Sequence, residues 1–289
     1  MEHNKRKPSW LKISLENGEE YLKVKKIVEL NKLHTICSSG KCPNASKCWG
    51  MGTATFMIAG DICTRSCKFC ATTTGKPLPL DKNEPEKIAS SVKLMGLKHC
   101  VITSVDRDDL DDKGAEHWQQ TVEKIRELNP NTTIEILTPD FDGREELLDV
   151  VFSSKPDIFS HNMETIQRLS DATRSRAKYD ISLKVLQYAS DKGFLTKTGI
   201  MVGLGESEKE VVELMQDVRK VGVQLFTIGQ YLQPTKKHLE VKEYITPEQF
   251  AKYREIGMQM GFANVESGPL VRSSYMAEKS FLDSKLKCH

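Results

Sequence analysis

The stretch TATFMIAGDICTRSCKFC, residues 53–70, joins a strand to a cysteine-rich loop. Its first part, Thr53–Ala59, is a short apolar run that reads as a strand. Its second part sets Cys63, Cys67 and Cys70 as a C-x3-C-x2-C triplet in the loop directly after that strand. In a parallel barrel the loops at the C-terminal ends of the strands carry the active site. The stretch therefore marks a fold and a site together.

Outward from it the chain alternates. Further strands are predicted at Cys100–Ser104, Thr133–Leu137, Ile158–His161, Thr196–Val202 and Leu225–Gly229. Helical periods lie between them. Ile88, Val92 and Met95 recur at i, i+4 and i+7, and Gly96 can end that helix. Helices are expected at Ala115–Leu128, Arg144–Phe152 and Ile181–Asp191. Val211, Leu214, Met215 and Val218 repeat the pattern behind a capping box of Ser207 and Glu210, and Thr246-Pro247 with Gln249 opens one more. A weaker period (Tyr21, Val24, Ile27, Val28) precedes a loop from Cys37 to Trp49, and after Met260 the period fades into a polar tail.

Six strands alternating with six helices imply βα units on a parallel sheet. The expected fold class is α/β, a partial (β/α)6 TIM-like barrel, because a full eightfold barrel would need about 250 residues in the repeat. A doubly wound sheet is the alternative. Three regions follow: residues 1–52 as a cysteine-bearing extension, 53–262 as the barrel and 263–289 as a C-terminal segment.

Composition narrows the function. With 38% hydrophobic and 28% charged residues the chain can fill a core, which excludes disorder and collagen-like repetition. Lys plus Arg is 42 against 40 for Asp plus Glu, a balance unlike a dedicated nucleic-acid binder. No apolar run reaches the roughly 18 residues of a membrane span, and the start MEHNKRKPSWLK lacks the apolar segment of a secretory signal. A cytoplasmic monomer is expected. In that reducing compartment clustered cysteines point to metal or catalysis rather than disulfides.

Three thiolates within eight residues can hold three irons of a cubane cluster, leaving the fourth iron without a ligand from this loop. Structural zinc is the bland alternative, but such sites usually pair C-x2-C units to reach four ligands. A second triplet, Cys37-x4-Cys42-x5-Cys48, lies upstream, so that six cysteines fall within 34 positions. Alone it is ambiguous between zinc and a second cluster.

The first spacing, with Phe69 between its last two cysteines, resembles the radical S-adenosylmethionine (radical SAM) enzymes. The two triplets and the 14 residues between Cys48 and Cys63 are similar to the lipoyl synthase family. RKPSWLK (6–12), SVDRDDLDDKGA (104–115), HNMET (161–165), TGIMVGLGE (198–206), TIGQYLQPT (227–235) and GPLVRSSY (268–275) look like its motifs. Two departures stand out: Thr173-Arg174-Ser175 where the family often has Val-Arg-Pro, and Lys113 where a glycine is common.

The resemblance implies a radical SAM sulfurtransferase that inserts sulfur at C6 and C8 of an octanoyl chain, amide-linked to a carrier-domain lysine. It implies S-adenosylmethionine and two 4Fe-4S clusters. One, on Cys63, Cys67 and Cys70, would cleave the cofactor. The other, on Cys37, Cys42, Cys48 and a serine, would be spent as sulfur donor. The matching serine is Ser274, with Ser273 as the fallback. Thr103, Ser104, Asn162 and Arg174 would contact S-adenosylmethionine. Partners would be octanoylated lipoyl domains of 2-oxoacid dehydrogenase acyltransferase subunits or the glycine cleavage H protein, an electron donor such as flavodoxin or ferredoxin, and an iron–sulfur carrier that rebuilds the spent cluster.

Rival readings are another radical SAM enzyme, biotin-synthase-like or a methylthiotransferase, and a non-catalytic iron–sulfur or zinc sensor. Bland readings accompany the other residues. Gly203-Leu-Gly205-Glu206 is a ligand loop or an ordinary turn. Half of the Asp106–Asp112 carboxylates are solvated. Gln230, Tyr231 and Gln233 could face the cavity. His161 and Cys100 are packed rather than reactive, and Lys5-Arg6-Lys7 and Cys288-His289 are solvated tails.

Overall fold

The computed structural model describes residues 7–13, 18–275 and 277. Lys5, Arg6, Cys288 and His289 lie outside the described residues. The extension holds α1 (Glu19–Leu30), β1 (His34–Thr35), α2 (Ile36–Ser39) and α3 (Ala45–Gly50). Then come β2 (Thr55–Ile58) and, within the cysteine loop, β3 (Ile62–Cys63) and β4 (Thr73–Thr74). The alternation follows: α4 (Glu84–Met95), β5 (His99–Ser104), α5 (Ala115–Leu128), β6 (Thr133–Leu137), α6 (Glu145–Ser153), β7 (Ile158–Ser160), α7 (Gln167–Thr173) and α8 (Tyr179–Asp191). It ends with β8 (Leu195–Val202), α9 (Glu208–Lys220), β9 (Leu225–Gln230), α10 (Pro247–Gln259) and β10 (Asn264–Gly268).

The sheet order is β1-β2-β5-β6-β7-β8-β9-β10. Only β1 runs antiparallel to its neighbour, and β10 is not paired back to the start, so the barrel stays open. The six predicted strands all form. The sheet also takes a seventh parallel strand, β10, which pairs with β9 from Asn264–Leu225 to Gly268–Gly229. The expected polar tail after Met260 is therefore corrected. Only Val265 gives β10 a large apolar anchor, and Asn264, Glu266, Ser267 and Gly268 offer no period to read. Short α7 was likewise not foreseen.

Helix periodicity sets the outer layer. Ile88 and Val92 of α4 pack with Trp118, Val122 and Ile125 of α5 over Phe56, Ile102 and Ile136 of the sheet. Val211, Leu214, Met215 and Val218 of α9 do the same with Phe250 and Tyr253 over Phe226 and Ile228. The helix ends form as their sequence dictates. Ser207 and Glu210 complete a capping box, Thr246 caps α10 with Pro247 behind it, and Gly96 takes the left-handed conformation (φ 65°) that ends α4. Val24 and Val28 fix α1 to the same core, which ties the extension to the barrel.

The barrel interior carries a buried ion pair. Lys197 Nζ on β8 lies 2.8 Å from Glu135 Oε1 on β6, with Ser160 of the intervening β7 donating to that carboxylate and His99 Nε2 at 3.6 Å. Burial pushes the Glu135 carboxyl up, but Lys197 and His99 outweigh it and hold the group down at about 2. Lys197→Met would strand that carboxylate, at a cost of about 3–5 kcal/mol. Denaturant unfolding checks this, and adding Glu135→Met should recover much of the loss.

Candidate active site

The loop after β2 is fastened at every turn. The β3–β4 pair closes its ends, with Gly75 N–H donating to Cys63 O at 3.1 Å. Arg65 turns inward and is almost fully buried. Its Nε and Nη2 bond Asp108 at 2.8 and 3.0 Å, and Nη2 also reaches Asp140 at 2.8 Å and Asp142 at 3.3 Å. Burial opposes the guanidinium charge, and the bonds it donates to Asp108 and Asp140, with the charge of Asp106, more than offset it. Asp108 is held well below the usual carboxylate range, burial notwithstanding, by Arg65 and Lys113. Farther along, Lys68 N–H donates to Thr173 O and Ser66 N–H to Ser175 Oγ. His238 Nε2–H donates to Cys70 O at 2.9 Å, which brings the loop after β9 over the cysteines.

The two departures from the family pattern have visible consequences. Ser175 Oγ accepts the Ser66 N–H and lies 3.6 Å from Cys67 Sγ, contacts that a proline could not make. Lys113 sits at φ 52°, a conformation that favours glycine. Its ammonium bridges Asp108 at 3.2 Å and Asp142 at 2.8 Å, which offsets the strain.

The second triplet spans α2 and α3. Cys37 and Cys42 are close enough for their charges to interact, and Cys48 feels both. Asn44 Nδ2 donates to Leu270 O at 2.6 Å and Lys47 Nζ to Tyr275 Oη at 3.2 Å, so the C-terminal segment is drawn onto this triplet. There the adjacent serines part. Ser274 Oγ accepts from Thr55 Oγ1 at 2.8 Å, and Ser273 Oγ accepts from Asn162 Nδ2 at 2.7 Å. Arg272 lies beside Cys42; burial pushes its guanidinium down, and Cys42 offsets this only in part.

One cavity of about 520 Å³ joins these parts, within the usual range for small-ligand sites. Cys63, Cys67 and Cys70 line it, as do Cys37, Cys42 and Ser274, while Cys48 is not in its lining. Thr103, Ser104, Asn162 and Arg174 line it too. Their hydrogen bonds differ. Thr103 Oγ1 donates to Leu137 O, and Arg174 Nη1 donates to Ser182 Oγ at 2.8 Å. Ser104 Oγ is buried with no partner among the described residues. Asp106 Oδ1 lies 3.2 Å from Arg65 Nε without hydrogen-bond alignment. A side chain at Gly199 would strike Thr227 Oγ1 at 2.2 Å, and one at Gly229 would strike the Val271 carbonyl at 2.1 Å.

These residues fit the implied groups. The six cysteines of the two triplets are free thiols. Cys63 and Cys48 are pushed up to about 12, chiefly by burial and then by neighbouring Asp106 or the other thiols. Such thiols ionise readily only against a metal's charge. Among the described residues no three His, Cys, Asp or Glu side chains converge on a single ion. Ser104 Oγ remains an unspent polar atom facing the cavity.

Sequence reasoning missed Arg65, Asp140 and Thr55. Glu164, within the HNMET motif, lines the cavity at φ 66°, accepts from Asn162 Nδ2 at 3.1 Å and is raised by burial. Gln230, Tyr231 and Gln233 do line the cavity, but their amides and hydroxyl are spent on Val202, Glu243, Leu239 and His238 carbonyls. Gly203 is required by packing, since a Cβ there would meet Gln230 Nε2 at 2.1 Å, and Glu206 closes the turn by accepting from Gly203 and Leu204 N–H. Cys100 is an enclosed thiol pushed up to about 12 by burial.

An open parallel barrel with a three-thiol loop after its first strand defines a class of enzyme. Residues 57–218 match the Radical SAM superfamily, to which the chain belongs. Among solved structures it is similar to methylornithine synthase (TM-score 0.59, 14% identity, 85% of this chain and 82% of that one). It is also similar to the FeFe-hydrogenase maturase HydG from Carboxydothermus hydrogenoformans (TM-score 0.59, 12% identity, 78% and 55%). At such identities the likeness is of fold alone. Sequence relatives are far nearer. Lipoyl synthase of Parabacteroides distasonis is 60% identical over 96% of this chain and 99% of its own length. That of Bacteroides fragilis is 62% identical over 95% of each, and that of Treponema denticola 55% over 96% of each. The chain is a member of the lipoyl synthase family, with S-adenosylmethionine and 4Fe-4S clusters as its cofactors.

His161 is not a free base. Its Nδ1–H donates to Thr138 O, so its Nε2 accepts from Ser182 Oγ, which in turn accepts from Arg174. Burial, then Arg174, pushes the ring down to about 4. An unfolded histidine binds its proton near 6.5. Between those values the unfolded chain holds the extra proton, so stability is full above about pH 6.5 and falls as pH drops toward 4. Thermal unfolding should show that decline, and His161→Gln should flatten it.

Proposed function

We propose that the enzyme completes lipoyl groups on carrier proteins by inserting two sulfur atoms, at C6 and C8, into an octanoyl chain amide-linked to a lysine. The observation that carries this reading is a single cavity lined by the whole first triplet and by Cys37, Cys42 and Ser274. Cys63, Cys67 and Cys70 would hold one cluster, and Cys37, Cys42, Cys48 and Ser274 the other. When bound, these groups supply a low-potential electron that opens the sulfonium C–S bond of S-adenosylmethionine, hence a route to unactivated C–H bonds, and sulfide for insertion.

The chain's own residues bind, orient and exclude water. Arg65 fixes the first cysteine loop against three strand-end carboxylates. Ser104, Asn162 and Arg174 offer a hydroxyl, an amide and a guanidinium to the ribose and carboxylate of the cofactor. Thr103 stands beside them with its proton already given to Leu137. The His238 contact folds the loop after β9 over Cys70 and limits solvent entry. Ile200, Leu232 and Val271 offer apolar wall to an alkyl chain.

Residues 1–52 and 263–289 are read as the two ends that complete the second cluster on the 53–262 barrel. The octanoylated carriers would be lipoyl domains of 2-oxoacid dehydrogenase acyltransferase subunits and the glycine cleavage H protein. A flavodoxin or ferredoxin would give electrons, and an iron–sulfur carrier would rebuild the spent cluster. No helix among the described residues is long and apolar enough to cross a membrane, and the reaction is assigned to the cytoplasm.

Anaerobic turnover of reconstituted enzyme with S-adenosylmethionine, a strong reductant and an octanoyl-lysine peptide tests this. The peptide should gain two sulfurs and lose two hydrogens, with 5′-deoxyadenosine released. Cys42→Ala should still release 5′-deoxyadenosine yet form at least tenfold less lipoyl product. Full lipoyl formation by that variant would sink the sulfur-donor assignment.

A further inference from the structure

We infer that Thr55 is the positioning residue that holds Ser274 in the ligand set of the second triplet. The inference rests on the assignment of Ser274 as fourth ligand beside Cys37, Cys42 and Cys48. Thr55 is the first residue of β2, and two features bear on its role. Its Oγ1 donates to Ser274 Oγ at 2.8 Å. Thr55, Ser274 and Cys37 also line the same cavity, so a rigid strand residue stands among the proposed ligands.

The direction of the bond matters. Thr55 donates, so Ser274 Oγ is the acceptor and its own proton is not committed to Thr55. When that oxygen ligates a metal the proton leaves, and a donor already aimed at the oxygen steadies the charge that develops. The same bond fixes the rotamer of Ser274, which otherwise stands on a turn closed by Tyr275 N–H to Arg272 O. Ser273 Oγ is engaged elsewhere, accepting from Asn162 Nδ2 just after β7 at 2.7 Å, so the two adjacent serines meet different partners.

The test uses the anaerobically reconstituted holoenzyme, with S-adenosylmethionine saturating to occupy the first cluster. Wild type, Thr55→Val, Thr55→Ser, Ser274→Ala and the Thr55→Val/Ser274→Ala double variant are loaded to equal iron and sulfide. Iron loss to a chelator is followed by absorbance, and the three-iron form after mild oxidation by electron paramagnetic resonance. Loss of one charge-assisted hydrogen bond should speed iron loss roughly tenfold in Thr55→Val. Thr55→Ser should restore the wild-type rate. In the Ser274→Ala background Thr55→Val should add nothing, a non-additivity that a general packing defect would not give. If Ser274→Ala releases iron at the wild-type rate, the ligand assignment itself fails. If Ser274→Ala is fast but Thr55→Val matches wild type, is slower, or adds independently, the role of Thr55 fails. Thr55→Ala carries the same comparison should the valine variant not fold.

Discussion

A single buried guanidinium holds the site in shape. Arg65 belongs to the cysteine loop after β2, yet its partners stand in the loops after β5 and β6. Taking such a cation out of water is costly, and only well-aligned carboxylates repay it. Here Asp108 binds it through two nitrogens while Asp140 and Asp142 share the third contact, so three strand ends are locked at fixed spacing. The cysteines on either side of Arg65 inherit that precision. Thr64, next in the chain, adds to it by donating to Asp106 O and accepting from Asp108 N–H.

This clamp changes the meaning of the charged run after β5. As sequence, Asp106–Asp112 looks like a half-solvated loop. In the fold Asp106 and Asp108 face Arg65, Asp109 pairs with Arg107, and Asp112 accepts the N–H groups of Gly114 and Glu116 at the start of α5. Asp109 and Asp111 are the exposed members of the run, Asp109 paired with Arg107 at the surface. Lys113 then needs its left-handed backbone to reach Asp142, which explains how a residue other than glycine is tolerated there.

What was legible followed from periodicity and spacing. Apolar residues repeating every two or every 3.6 positions gave the six strands and their helices, because burial of one face imposes those periods. The thiol spacing was readable because three ligands on one loop must be near neighbours. What escaped depended on contacts distant in the chain. The partner of Arg65 lies 43 or 75 residues away, and no local pattern announces it. β10 was silent because an edge strand beside a nearly finished barrel buries one valine and little else. The separation of Ser273 from Ser274 was equally hidden, since adjacent serines differ only in where the backbone turn aims them.

Among the described residues, the cysteine-bearing extension and the start of β2 meet the segment after β10 through polar bonds. Asn44 reaches Leu270, Lys47 reaches Tyr275 and Thr55 reaches Ser274, across 226, 228 and 219 residues of sequence. Such closures are entropically expensive and return little until the barrel between them exists. The placing of the C-terminal segment on the second triplet therefore depends on a finished barrel. Hydrogen bonds of this kind can be broken and remade singly, whereas a hydrophobic seam must open as a unit. The segment is held by the former, at Asn44, Lys47 and Ser274.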